Sequence, residues 1–221
     1  MMTMALAKDG RGKWRKTAMS TAMGALVGAA AMSGVLALAG TDLLDAMGPS
    51  RIALAGVGLV YLLMAAMVGF GVAAPRAGAK VLNVADADEL RDDRTNLLFS
   101  TIVMALLGAT LVLLAVARGP DFAAGFVPAC VAFAVLALML AGGVLVSWLW
   151  RDRFDELGRQ LGLEGASWAF YLSWIVLSLW GAADFLGLGV RLTPVDVVTI
   201  PAAALLLGSF VAIGRRGMMV R

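Results

Sequence analysis

Six stretches of 20 to 28 residues, at about 17–40, 52–74, 96–118, 123–150, 167–189 and 195–214, run through this chain almost without charge. Each is long enough to cross the hydrocarbon core of a bilayer as a helix, which takes about 20 residues. Transmembrane strands would alternate polar and apolar residues over about 10 positions, and these stretches do not alternate. With no water in the bilayer to satisfy the backbone, continuous apolar runs of this length must be helical. A large soluble core is excluded by composition. At 61% hydrophobic and 15% charged residues, with a mean hydropathy of +0.89, too little polar sequence remains to cover one. The sequence predicts an all-α integral membrane protein, a bundle of six transmembrane helices filling residues 17–214. A basic tail, 1–16, and a short tail, 215–221, flank it.

Orientation follows from lysine and arginine. Fifteen of the 18 basic residues fall in the N-terminal tail, the second and fourth connections and the C-terminal tail. Only Arg51, Arg118 and Arg191 fall on the other side. The positive-inside rule then places both termini in the cytoplasm of a bacterial-type inner membrane, and an even number of spans is consistent with that. The net charge of +3 is a topology signal and not evidence for nucleic acid. The three outward connections are short, which predicts antiparallel hairpins of spans 1–2, 3–4 and 5–6. A basic start followed by an apolar run and "ALAG" at residues 37–40 also resembles a cleavable signal peptide. The segment is long for one, so the first span is expected to stay in place.

Charge in the second half of the chain concentrates in "RDRFDELGRQLGLEGASW", residues 151–168. Trp150, Phe154, Leu157 and Leu161 recur at helical spacing, and Asp155 with Arg159 makes a favourable i,i+4 pair. The segment reads as an amphipathic helix along the cytoplasmic interface, or as an inward extension of span four or five. A second charged segment, "ADADELRDDRTN", precedes span three, and Asp86 with Glu89 has the spacing of a capping box. Its acidic cluster lacks the loop length and the glycine of a calcium loop, so it reads as a solvated, partly paired helix face. Asp-Glu-Leu occurs in both segments, at residues 88–90 and 155–157, which hints at a repeat of hairpins 86–150 and 153–214. Asp88, Glu89, Arg153, Asp155, Glu156 and Arg159 are the candidate docking face.

Inside the apolar runs one ionisable residue stands out. Asp184 lies about a turn inside the outer end of span five, on one face with Ser173, Leu177 and Trp180. As a functional group it would serve a proton or cation relay. As a structural group it would reach the interface or pair with Arg191, Arg51 or Arg118, and that reading is preferred because the residue is shallow. Asp196 is expected to serve the start of span six, with Thr193 as N-cap and Pro194 in the first turn. Pro201 should kink that span. Gly24 and Gly28 in span one, and Gly142, Gly143 and Ser147 in span four, are candidate helix-packing positions. Trp14, Trp148, Trp150 and Trp168 mark the proposed cytoplasmic boundary.

The chain has no histidine, which removes His-ligated haem, most catalytic zinc sites and Ser-His-Asp triads. Its one cysteine, Cys130, lies in an apolar run and reads as a packing residue. No phosphate-binding loop and no dinucleotide turn is present, and no catalytic, metal or cofactor-binding residue is assigned. The expectation is a non-enzymatic membrane subunit or scaffold, embedded in the lipid bilayer and packed against a partner membrane protein or a second copy. A small transporter using Asp184 and the kinked sixth span is the rival, and an interfacial lipid-modifying enzyme the third reading.

Overall fold

The structure is a computed structural model that describes residues 41–75, 94–117, 127–150, 156–188 and 191–216. They are all-helical apart from short turns. In chain order the helices are α1 (Thr41–Ala73), α2 (Arg94–Val116), α3 (Ala129–Trp150), α4 (Glu156–Phe185) and α5 (Asp196–Arg215). All five are long and apolar enough to cross a membrane, α1 from Met47 onward. They match the second to sixth apolar runs. The first run, 17–40, lies outside the described residues, as do Asp88, Glu89, Arg153, Asp155 and the capping-box spacing at Asp86.

Local chemistry sets the helix limits. Inside α1, Gly48 has φ 70° and ψ 162°, a backbone conformation essentially confined to glycine. Pro49 follows, with a fixed φ that suits a first helical position and no N–H to leave unpaired. Residues 41–47 are therefore a separate helical piece in what the sequence presents as a loop. At its C-terminus α4 stops in a Schellman motif. The Leu188 N–H donates to the Ala183 carbonyl (2.8 Å), the Gly187 N–H donates to the Asp184 carbonyl (3.0 Å), and Gly187 takes φ 69°. The start of α4 settles the alternatives for the charged segment. From Glu156 it is continuous with the apolar helix that follows, an extension of span five. Its 30 residues make a rod of about 45 Å, against a hydrocarbon core of about 30 Å.

Two antiparallel pairs are knit by glycine. A Cβ placed on Gly108 of α2 would lie 2.6 Å from the Gly58 carbonyl oxygen and 3.0 Å from the Leu62 nitrogen of α1. A Cβ on Gly208 of α5 would lie 2.5 Å from the Gly165 carbonyl oxygen and 2.9 Å from the Ala169 nitrogen of α4. At both crossings only hydrogen fits between backbones. Helices in lipid gain little by burying apolar surface on each other, so close approach of this kind is a main source of attraction. The pairs meet through α1 and α5, where Leu54, Tyr61, Leu111 and Ala115 form a buried core flanked by Val195, Val198, Ala202 and Leu206.

Of the three expected hairpins, spans five and six pair closely as α4 and α5, while spans three and four touch only lightly as α2 and α3. The pairing of spans one and two lies outside the described residues. The main partner of α2 is α1, its predecessor across the long connection, while α3 rests lightly on α2 and buries only Ala132. Loop length limits which helices can be neighbours, but close contact goes to the helices that share glycine. A Cβ on Gly142 or Gly143, expected to serve packing, would meet nothing within 4 Å among the described residues. The packing also differs between the hairpins of the suggested repeat. A 67-residue offset carries Gly165 and Gly208 onto Leu98 and Ala141, both exposed.

Gly108→Val and Gly208→Val should each destabilise the bundle, by about 1–3 kcal/mol as for overpacked cores. Gly181→Ala, where a Cβ meets open space, should leave the thermal midpoint in detergent unchanged or slightly raised. Equal midpoints for all three variants would show that the two glycine contacts carry no packing.

Candidate functional site

A buried polar cluster lies where α5 begins and α2 ends, beside Ser50 and Arg51 of α1. Asp196, only 4% exposed, accepts through Oδ2 from the Thr193 N–H (2.8 Å), the Thr193 hydroxyl (2.8 Å) and the Ser50 hydroxyl (3.2 Å). The first of these is the reciprocal half of a capping box, in which an acidic side chain three residues on reaches back to a backbone N–H. The expected N-cap differs in detail. The hydrogen-bonded helix starts at Asp196 with Val195 before it, and the Thr193 hydroxyl donates to the carboxylate where a capping hydroxyl would accept from the backbone. The Ser50 contact is tertiary and ties α1 to α5.

Next to Ser50, Arg51 places Nε 2.9 Å and Nη2 2.7 Å from the carbonyl oxygen of Ala115. That carbonyl belongs to the last turn of α2, where unpaired carbonyls give the helix its negative end. The guanidinium fork thus closes the C-terminus of a helix from another segment of the chain. Deeper in, the Tyr61 hydroxyl donates to the Ala202 carbonyl at 2.9 Å and joins α1 to α5. Buried Thr110 and Thr199 turn their hydroxyls onto Leu106 and Val195 of their own helices. Among the described residues, no buried side-chain nitrogen or oxygen lacks a hydrogen-bond partner.

Asp184 serves the turn between α4 and α5. Its Oδ2 accepts from the Leu192 N–H at 3.2 Å, while its carbonyl takes part in the motif that ends α4. Ser173 donates to the Ala169 carbonyl at 2.6 Å. Ser173, Leu177, Trp180 and Asp184 are all half-buried on one face of α4, as the helical spacing implies. The structure brings them onto one face, and Ser173 and Asp184 direct hydrogen bonds to backbone. Pro201 sits inside α5, which continues through it from Asp196 to Arg215.

The opposite end of α4 and α5 is charged. Glu164 accepts from Arg216 at 3.2 Å and lies 3.6 Å from Arg215. Arg215 also covers the Trp168 ring, 5.8 Å from its centroid. Two turns further out Arg159 pairs with Glu156 at 2.7 Å, both exposed, and Gln160 donates to the same carboxylate at 3.2 Å. Of the proposed docking residues, Glu156 and Arg159 are thus adjacent on the surface. Exposed pairs of this kind contribute little to stability. At this end Phe99 of α2 packs on Trp150 of α3 with ring centroids 4.2 Å apart.

No group of three or more Cys, Asp or Glu side chains is arranged to hold a metal among the described residues. Compared with protein-family models, curated proteins and solved structures, the chain matches none.

Sequence reasoning missed the residues that join helices: Ser50, Arg51, Tyr61, Gly58, Gly108, Gly165 and Gly208. One signal was available. Small residues recur every fourth position as Gly165, Ala169, Ser173 in α4 and Ala204, Gly208, Ala212 in α5, and these two stripes line the α4–α5 contact. Nothing comparable announces Tyr61, whose acceptor is a backbone carbonyl 141 residues away.

Tyr61→Phe should cost about 0.5–1.5 kcal/mol, the worth of one hydrogen bond. Asp196→Ala should cost more, because it strands the Ser50 and Thr193 donors at a buried site. Asp184→Asn keeps an acceptor for Leu192 and should be close to neutral. Thermal unfolding in detergent ranks the three, and an Asp196→Ala midpoint no lower than that of Asp184→Asn would contradict the assignment.

Proposed function

We propose that this protein is a multi-pass subunit of a bacterial-type inner membrane that acts by packing and docking rather than by catalysis. In this reading six helices cross the bilayer with both termini in the cytoplasm. The charged end of α4 and α5 is then cytoplasmic, on the side that holds most of the basic residues. The observation that carries the reading is the length of α4. About ten of its 30 residues exceed what a bilayer core covers, and the excess bears exposed Glu156 and Arg159. A rigid charged rod standing on a membrane bundle suits the assembly of a partner membrane protein, or of a second copy, at the interface. Nucleic acid is not a partner in this reading. The polar groups within the helices favour it over transport, because Asp184, Asp196 and Arg51 each bind backbone that a turn or helix end leaves open.

Gentle solubilisation from native membranes, followed by native mass determination, tests the proposal. A stoichiometric membrane-protein partner or homo-oligomer is expected, at least ten-fold depleted by the double reversal Glu156→Lys/Arg159→Glu and unaffected by Asp184→Asn. A lone monomer in mild detergent sinks the subunit reading. Loss of a transport or growth phenotype in an inserted Asp184→Asn protein would move the assignment to a transporter.

A further inference from the structure

Two guanidiniums share one carboxylate at the charged end of α4 and α5, and they share it unequally. Arg216 brings Nε to 3.4 Å and Nη2 to 3.2 Å from Oε2 of Glu164, and its Nη1 to 3.5 Å from the side-chain oxygen of Gln160. Arg215 lies 3.6 Å from the other oxygen of Glu164, beyond hydrogen-bond distance. It packs instead over the Trp168 ring, 5.8 Å from the centroid. Exposure divides the two in the same way, at 63% for the Arg215 side chain and 31% for that of Arg216. Among the described residues, then, Arg216 holds Glu164, and Arg215 presents a positive charge with its N–H groups open.

We infer that Arg215 and Trp168 seat the phosphate of one anionic glycerophospholipid, with its acyl chains lying along the flank of α4 and α5 below. The inference rests on the reading of α4 and α5 as membrane spans, and not on the docking role proposed for Glu156 and Arg159. Depth places the pair at the level of lipid phosphates. About 20 residues of helix cross the hydrocarbon core. Counted back from Phe185, the end of α4, that length reaches residue 166, and counted on from Asp196, the start of α5, it reaches Arg215. Trp168 and Arg215 therefore stand where acyl chains give way to headgroups, the level that tryptophan favours. A helical side chain leans toward the N-terminus of its helix, which carries the Arg215 guanidinium back over Trp168.

The chemistry selects a phosphate. A guanidinium is always charged and offers its N–H donors in a planar fork that matches two phosphate oxygens. The ring beneath holds that fork in place before the ligand arrives, which lowers the ordering cost of binding. Two guanidiniums against one carboxylate leave one positive charge, which an anionic lipid neutralises and a zwitterionic lipid, carrying its own cation, does not. Other arginines are committed elsewhere. Arg159 pairs with Glu156 at 2.7 Å and stands nine residues beyond Trp168, about 14 Å further from the core. Arg51 forks onto the Ala115 carbonyl. Toward the membrane centre, Tyr171 and Ile175 follow Trp168 on one face of α4 at intervals of three and four, and both are exposed. They give an acyl chain an apolar track that begins at the charge, which sets this flank apart from the open faces of α3 and the rest of α4.

Lipid titration of the full chain, purified in mild detergent and stripped of lipid, tests the site by native mass spectrometry. Phosphatidylglycerol should bind as one molecule per chain, at least five-fold more tightly than phosphatidylcholine. Arg215→Gln and Arg215→Lys should each lower that preference at least three-fold, the lysine because it keeps the charge and loses the fork. Arg94→Gln removes the same charge at the exposed start of α2, on the same side of the bundle, and should leave the preference unchanged. Equal affinity of the parent chain for the two lipids overturns the site, whatever the variants do. A loss in Arg94→Gln as large as that in Arg215→Gln overturns it in favour of general surface charge, and an unmoved preference in Arg215→Lys overturns the guanidinium contact. Displacement of the lipid by equimolar inorganic phosphate assigns the site to a free anion and overturns the lipid. Alkaline carbonate extraction of native membranes separates the site from the spans. Release of the chain overturns both, whereas a chain that stays with the membrane and lacks the lipid preference overturns the site alone.

Discussion

A leucine that leaves lipid for the surface of another helix gains almost nothing, so helices built like these adhere only where their backbones come close. Gly58 with Gly108 and Gly165 with Gly208 supply that closeness. Each contact brings a carbonyl of one helix to within van der Waals distance of the other helix's axis-facing surface, and the flanking side chains interlock around it. The rest of the bundle is arranged by these two crossings. They make two tight pairs, and the pairs then meet along α1 and α5, leaving α3 at the side with a single buried alanine.

Polar groups follow the same economy of backbone. Arg51 forks onto a carbonyl at the end of α2, Tyr61 donates to a carbonyl of α5, and Asp184 accepts a backbone N–H from the turn after α4. Asp196 gathers Thr193 and Ser50. Where water is absent, helix ends and turns are the places with unsatisfied main-chain groups, and a side chain that meets one also fixes two segments together. A charged residue within an apolar helix is by default a suspect for chemistry. In these helices Asp184, Asp196 and Arg51 each meet main chain at a turn or a helix end.

The helices themselves were legible. Apolar runs placed α2 and α5 to within two residues, whereas α3 starts six residues after its run, and α1 and α4 each start eleven residues before theirs, α4 because amphipathic sequence from Glu156 continues the same helix. The half-buried face of Ser173, Trp180 and Asp184 was legible too, since it depends only on helical periodicity. The role of Asp184 could be named only as one of two, because its acceptor function requires Leu192 to fold back beside it. Gly142 and Gly143 show the limit of reading motifs. Adjacent glycines permit close approach but do not specify a partner, and within the described residues none approaches.

By itself, then, the sequence determined length, hydropathy and period: that long apolar helices run through the chain, roughly where they lie, and which side chains share a face. Those are properties of a segment and its solvent. Tertiary structure decided which glycine meets which, that α2 prefers α1 to α3, and that Asp196 and Arg51 close ends of helices far away in the chain. Those depend on the fit of two surfaces at ångström scale, and each partner's contribution is invisible until the other is beside it.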